Sequence, residues 1–314
     1  MKRTLLLAAQ VVFTVAVIGY AAAKIWDQWN EARATGFDFS PNWGLVALSG
    51  ALVLAAYAVL IQAWRAMVEG WGSRLRYADA ARIWFVSNLG RYVPGKVWQI
   101  TAMAVLAERA GVSRYTAAGS AILVNLVNLV AGVGVVALTA ASLLGNVALV
   151  VGAAAFLIAA LLLAPRFLPV LIRSYERVRG RSVRVPVLSA KAIWIAGAAS
   201  AFAWLLYGVA FRIFAEGVVP SSHGPLNSYI GAFTASYLAG YLFLPAPGGI
   251  GVREGALLVL MDRLQLVSGG AGAVIVATSR LWLTVLEVLP GAAYLALGAV
   301  PMRFRNSMAH ERTD

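Results

Sequence analysis

Six apolar runs long enough to cross a bilayer, at roughly 4–23, 43–64, 116–142, 147–164, 191–214 and 271–299, dominate this chain. A helix needs about 20 such residues to span the hydrocarbon core. Of the 314 residues, 61% are hydrophobic and 12% charged. A soluble domain carries about 45–50% and about 25%. Water alone could not solvate a fold of this composition, so lipid must form part of its surroundings. The run from Leu5 to Ala23 follows Lys2 and Arg3 in the manner of a signal peptide. It is long for that role and many spans follow, so we read it as a retained helix.

Two further stretches, 78–110 and 228–265, are apolar but interrupted. Each has a proline–glycine break near its middle, Val93-Pro94-Gly95-Lys96 in the first and Pro245-Ala246-Pro247-Gly248-Gly249-Ile250-Gly251 in the second. Proline removes a backbone donor and clashes with the preceding turn, and glycine lets the chain reverse. Each stretch is expected to form two short helices meeting at a bend. Irregular backbone at membrane depth must be enclosed by protein or line a wet cavity.

Lys and Arg number 26 against 13 Asp and Glu, a net charge of +13. They gather between apolar runs, in 65–91 and 165–190, whereas 215–227 holds Glu216 and no Lys or Arg. Loops on the cytoplasmic side collect such residues. The pattern therefore points to an inner-membrane protein with both termini cytoplasmic, and not to a nucleic-acid binder. The first hairpin then dips in from the cytoplasm and the second from outside. The order span, span, hairpin, span occurs twice, and the breaks at 94 and 247 lie 153 positions apart. The fold expected is an all-α integral membrane domain of about six transmembrane helices plus two re-entrant broken hairpins. It forms an inverted-topology internal repeat, with halves at about 1–142 and 147–300 and a cytoplasmic tail at 301–314. Such symmetry with opposed broken helices marks transporters whose site lies near the midplane. Two bent helices without a repeat are the plainer alternative.

A short helix starting after Gly95 or Gly249 would aim amide N–H groups and its dipole at the bend, which favours an anion. Arg91 and Lys96 flank the first bend and Arg253 follows the second. Arg91 and Lys96 could instead snorkel to the cytoplasmic surface. Ionisable residues inside spans are costly and point to function. Arg212, Arg280, Glu287 and Glu254 qualify; Arg280 and Glu287 are seven apart on one helix face. Glu254 suits the dipole at its helix start, or neutralises Arg280. Either acid could carry a coupling proton or simply offset an arginine. Asn125 and Asn128 read more readily as helix–helix contacts than as ligand contacts. Tyr92, Trp98, Tyr237 and Tyr241 either line a lipid path or belong to packing and interfacial belts. The glycines at Gly132 and Gly134 suggest close helix packing.

The sequence has no cysteine and two histidines, His223 and His310, which leaves little from which to build a thiolate, metal or His-based catalytic site. Pro247 to Gly251 lacks the lysine–serine ending of a nucleotide loop. No cofactor, no nucleotide and no enzymatic activity are expected.

Asn88-Leu89-Gly90-Arg91-Tyr92-Val93-Pro94-Gly95-Lys96-Val97-Trp98, with Arg109-Ala110-Gly111-Val112-Ser113 after it, resembles the first signature of the flippase-like membrane domain family. That family includes the transmembrane region of lysylphosphatidylglycerol synthase/flippase proteins. Leu244 to Glu254 resembles its second signature. The resemblance implies Asn88, Arg91, Pro94 and Gly95 as site residues in the first motif. In the second it implies Pro247, Gly248, Gly249, Gly251 and Glu254. It implies movement of a charged or glycosylated phospholipid, or a polyprenyl-phosphate carrier, between leaflets. Many members carry a second glycine and an arginine shortly after the first Pro-Gly, where this chain reads Lys96-Val97-Trp98-Gln99-Ile100-Thr101. Many also carry an acidic residue in the next span, where this chain has Asn125 and Asn128. No aminoacyl-transfer domain follows the last span, so lipid aminoacylation is not expected.

The expectation is thus a lipid translocase whose partners are lipids with anionic head groups, with homo-oligomers left open. The rival is a non-transporting partner that presents lipid-linked sugars to a glycosyltransferase. A lipid-modifying enzyme is the third reading, weakened by the scarcity of His and Cys.

Overall fold

In the computed structural model, the described residues are 40–92, 97–143, 189–220, 222, 224–243, 247–267 and 271–296, with Trp26 and scattered positions between 147 and 163. Among them every regular element is helical. In chain order the elements are α1 (Trp43–Gly70), α2 (Tyr77–Asn88), a 3-10 turn (Leu89–Tyr92), α3 (Val97–Arg109) and α4 (Arg114–Leu143). The second set is α5 (Ala190–Val218), α6 (Leu226–Leu242), a 3-10 turn (Pro247–Gly249), α7 (Val252–Arg263) and α8 (Ala271–Ala296). Long helix, short helix, tight turn, short helix, long helix is the order of both sets.

Four of these helices, α1, α4 up to Ala140, α5 and α8, are long and apolar enough to cross a membrane. Their outward faces carry large apolar side chains, such as Ile122, Leu126, Val130 and Val133 on α4 and Leu281, Val285 and Leu289 on α8. A helix that is apolar toward both core and surroundings belongs in lipid. The chain is a multi-pass membrane protein. The expected spans at 4–23 and 147–164 are outside the described residues or only sparsely within them. The 301–314 tail and most of the 165–190 loop also lie outside.

Two spans are longer than the apolar runs suggest, because pairing within the helix offsets charge at the ends. In α1 the run ends near residue 64, yet the helix continues to Gly70, with Arg65 Nε bonded to Glu69 Oε1 at 3.0 Å. In α5, Arg212 Nε meets Glu216 Oε1 at 2.8 Å, and the helix runs on to Val218. Opposite charges four residues apart support a helix. Glu216 therefore belongs to a helix and not to a loop, and Arg212 is neutralised one turn further on.

Proline alone does not break these helices. Pro290 lies inside α8, which continues to Ala296. At the second break three glycines add what proline lacks: Gly248, Gly249 and Gly251 have φ of 60°, 68° and 85°. This left-handed region is open to glycine and unfavourable to other residues. Gly249 also lies against Gly240 of α6, where an added Cβ would come within 2.7 Å of backbone atoms.

Packing crosses between the two sets of helices. The long helices α1 and α5 lie along one another, α4 packs against α5 and α6, and α8 packs against α2. Small residues permit this closeness: Gly132 of α4 sits under Trp204 of α5, and Gly208 of α5 against Ile230 of α6. The Gly132 expectation of close packing holds. The α3 and α7 ends are built alike. Val112 N donates to Ala107 O at 3.1 Å and Gly111 N to Glu108 O at 3.0 Å; Leu266 N donates to Met261 O and Gln265 N to Asp262 O, both at 3.0 Å. Both close a helix with a left-handed residue. In α3 that residue is Gly111, but after α7 it is Gln265, with φ of 49°. Gln265→Gly should therefore stabilise the fold by about 1 kcal/mol, read as a higher midpoint of thermal unfolding in detergent.

Candidate anion site between two helix breaks

The two 3-10 turns touch, and the first also meets α8. Around their junction lies a cavity lined by Arg91, Gln99, Tyr237, Gly240, Tyr241, Gly248, Gly249, Arg253, Arg280 and Glu287. Three guanidinium groups thus face one space lined by the two turns and by α3, α6, α7 and α8.

Arg91 lies in the turn after α2 and reaches inward to a buried carboxylate. Its Nη1 donates to Glu287 Oε1 at 2.6 Å and to Tyr237 Oη at 2.9 Å, and its Nη2 to Asn88 Oδ1 at 3.2 Å. Glu287 is 4% exposed and also accepts from Tyr57 Oη of α1 at 3.0 Å. This ion pair joins the two sets of helices. Asn88 Oδ1 accepts a further bond, from Gln99 Nε2 at 2.7 Å, which ties α2 to α3 across the first break.

The second break is organised by Glu254 in the first turn of α7. Its Oε2 accepts from Gly251 N at 2.6 Å, and its Oε1 lies 3.4 Å from Arg280 Nε. Arg280 Nη2 also donates to Gly248 O at 3.3 Å. Glu254 therefore both caps its own helix and offsets Arg280. This changes one expectation: the amide at the start of α7 is already bonded to a carboxylate of its own helix. Arginine side chains add positive charge at this break beside that capped amide.

Arg253 differs from the other two arginines. It is 7% exposed, and among the described residues no carboxylate lies within ion-pair distance of it. Its guanidinium stacks 4.5 Å from the Tyr237 ring centre and 5.2 Å from that of Phe233. Such stacking on aromatic faces offsets part of the cost of burying a cation. Glu287 answers Arg91 and Glu254 answers Arg280, so this trio of arginines is left with a surplus of one positive charge. A low-dielectric cavity with unbalanced positive charge favours an anion, and guanidinium forks match phosphate geometry.

A second chamber adjoins the first, sharing Arg91, Gln99, Tyr237 and Tyr241. Tyr57, Trp84, Asn88, Asn125, Asn128, Trp204 and Tyr207 contribute to its wall. Its aromatic rings meet edge to face: Tyr57 to Tyr207 at 5.8 Å, Trp204 to Tyr207 at 5.8 Å and Trp204 to Tyr237 at 5.2 Å.

Of the expected site residues, the cavity brings together Arg91, Gly248, Gly249, Arg253, Arg280 and Glu287, with Asn88 and Glu254 bonded to its walls. Gly251 supplies the amide that Glu254 caps. Tyr92 and Pro247 are described only by their backbone in the two turns, and Pro94, Gly95 and Lys96 lie outside the described residues. Tyr237 and Tyr241 line the cavity, whereas Trp98 is 52% exposed and faces away. Asn125 and Asn128 both reach the second chamber. Asn125 Nδ2 bonds back to Ala121 O at 2.7 Å, and its Oδ1 accepts from Tyr241 at 3.3 Å. Reasoning from sequence missed Tyr57, Gln99, Trp84 and Tyr207. The available signal was a hydrogen-bonding side chain set in an apolar run, as at Ala55-Ala56-Tyr57-Ala58-Val59.

These features define a multi-span α-helical membrane protein with a cationic cavity between two interrupted helices. Residues 5–291 match the family described as the lysylphosphatidylglycerol synthase TM region, and the chain belongs to that family. No curated protein matches it.

Proposed function

We propose that the protein is a lipid translocase that moves an anionic phospholipid or a polyprenyl-phosphate-linked lipid between leaflets. The observation that carries this reading is the positive surplus at Arg253 inside a cavity walled by both helix breaks. Buried charge in a membrane protein marks a pathway or ligand site, and the family's description is itself a lipid one. In this reading the phosphate sits among Arg91, Arg253 and Arg280 while the tails remain in the bilayer. The repeated order of elements and the crossed packing of α4 on α6 and α8 on α2 support an inverted repeat whose rocking exposes the site to each side in turn. The breaks are then the tips of re-entrant hairpins, and both termini lie on the cytoplasmic side of a bacterial inner membrane. The protein makes and breaks no covalent bonds in this scheme.

The test is a liposome assay with purified protein and head-group-labelled lipids quenched by dithionite. For an anionic lipid, the protected inner-leaflet fraction should become accessible faster than in protein-free vesicles. Rates equal to those of empty vesicles for every anionic lipid would sink the proposal. Copurification with a glycosyltransferase under those conditions would favour the presenting role instead.

A further inference from the structure

The amide of Asn88 has a fixed direction. Its Oδ1 accepts from both Gln99 Nε2 and Arg91 Nη2, so its Nδ2 faces the other way. Asn88 is 2% exposed, and its Nδ2 has no hydrogen-bond partner among the described residues. The same holds for Trp84 Nε1 and Asn128 Oδ1. All three residues line the second chamber, beside the arginines. Buried polar atoms are normally bonded, and an orphan costs free energy until something meets it. Two donors and one acceptor, orphaned on side chains that line one space, suit a ligand with hydroxyl groups, which both give and accept.

The charge of the chamber narrows the choice. Among the described lining residues Arg91 is its one charged group. An ammonium group would find no carboxylate facing it there. Trp204 and Tyr207 instead add aromatic wall to the chamber, which suits the C–H surface of a saturated ring.

We propose that the second chamber receives a neutral, hydroxyl-rich ring, a sugar or cyclitol, joined to the phosphate that the three arginines hold. This rests on the reading of the arginine cavity as a phosphate site. The lipid carried is then a phosphodiester of a sugar or cyclitol and not one with a cationic aminoacyl head group. The tail, acyl or prenyl, lies outside this chamber.

The test is native mass spectrometry of the full chain in detergent, titrated with phosphatidylinositol, a polyprenyl-phosphate hexose, phosphatidic acid, lysyl-phosphatidylglycerol and phosphatidylcholine. Phosphatidylinositol or the polyprenyl-phosphate hexose should bind at least about tenfold more tightly than phosphatidic acid, since only the former satisfy the orphaned groups. Whichever of the two binds more tightly names the tail. Asn128→Leu, and separately Trp84→Phe, should bring that ratio down to about one. Equal binding of phosphatidic acid and both ring-bearing lipids, a ratio untouched by either substitution, or tightest binding of lysyl-phosphatidylglycerol would overturn the sugar chamber while leaving the phosphate site standing. Failure of every anionic lipid to exceed zwitterionic phosphatidylcholine would remove the arginine anion site and this inference with it.

Discussion

Replacing Glu287 with leucine should destabilise the protein by about 3–5 kcal/mol, the usual cost of stranding one member of a buried ion pair. Glu287 is the common acceptor for Arg91 Nη1, at 2.6 Å, and Tyr57 Oη, at 3.0 Å. Without it a guanidinium and a phenol from two other helices lose their shared partner inside the bundle. The double replacement Arg91→Leu with Glu287→Leu should recover most of that loss, because no isolated charge then remains. Thermal unfolding of the detergent-solubilised single and double variants measures this directly. A double variant no more stable than Glu287→Leu alone would show that the pair is not what joins the halves.

The second large effect separates function from folding. Arg253→Leu should leave the unfolding midpoint close to that of the parent, since no described carboxylate depends on Arg253. Translocation of an anionic lipid should nevertheless fall about 10–100-fold, the worth of one hydrogen-bonded charge at a ligand. Arg280→Leu behaves differently, for it strips Glu254 of its counter-charge, 3.4 Å away. It should lower both stability and transport. The ratio of the two losses, from unfolding and from vesicle assays on the same preparations, tells a ligand-binding arginine from a structural one.

The parts legible in the sequence were those that local chemistry determines. Apolar length located α1, α4, α5 and α8, and the Pro-Gly runs located both interruptions. At the second break glycines occupy left-handed backbone, whereas α8 runs unbroken through Pro290. Charge pairs inside a helix, Arg65 with Glu69 and Arg212 with Glu216, then extended two spans past their apolar ends. The pairing of Glu254 with Arg280 was one of two readings of Glu254, beside its place at the helix start, and the structure shows both. Arg91 with Glu287 could not be read in this way, since 196 positions separate them and only tertiary packing brings them together. Tyr57, Gln99 and Trp84 carry only the weak sign of a hydrogen-bonding side chain near or within an apolar run, which reads the same whether the side chain faces lipid or a cavity. The cap on α7 shows the limit of dipole arguments. Glu254 stands where a ligand's negative charge was expected, and the surplus cation lies one residue earlier, at Arg253.

Photolabelling tests the central claim most directly. An anionic phospholipid with a diazirine in its head group, irradiated with the protein in nanodiscs, should label peptides containing Asn88 to Gln99 and Tyr237 to Arg253. The choline analogue with the same photophore should label them much less. If the anionic probe instead marks only the outward apolar positions, such as Val259 and Leu281, to the same extent as the choline analogue, then the arginine cavity does not hold a lipid head group.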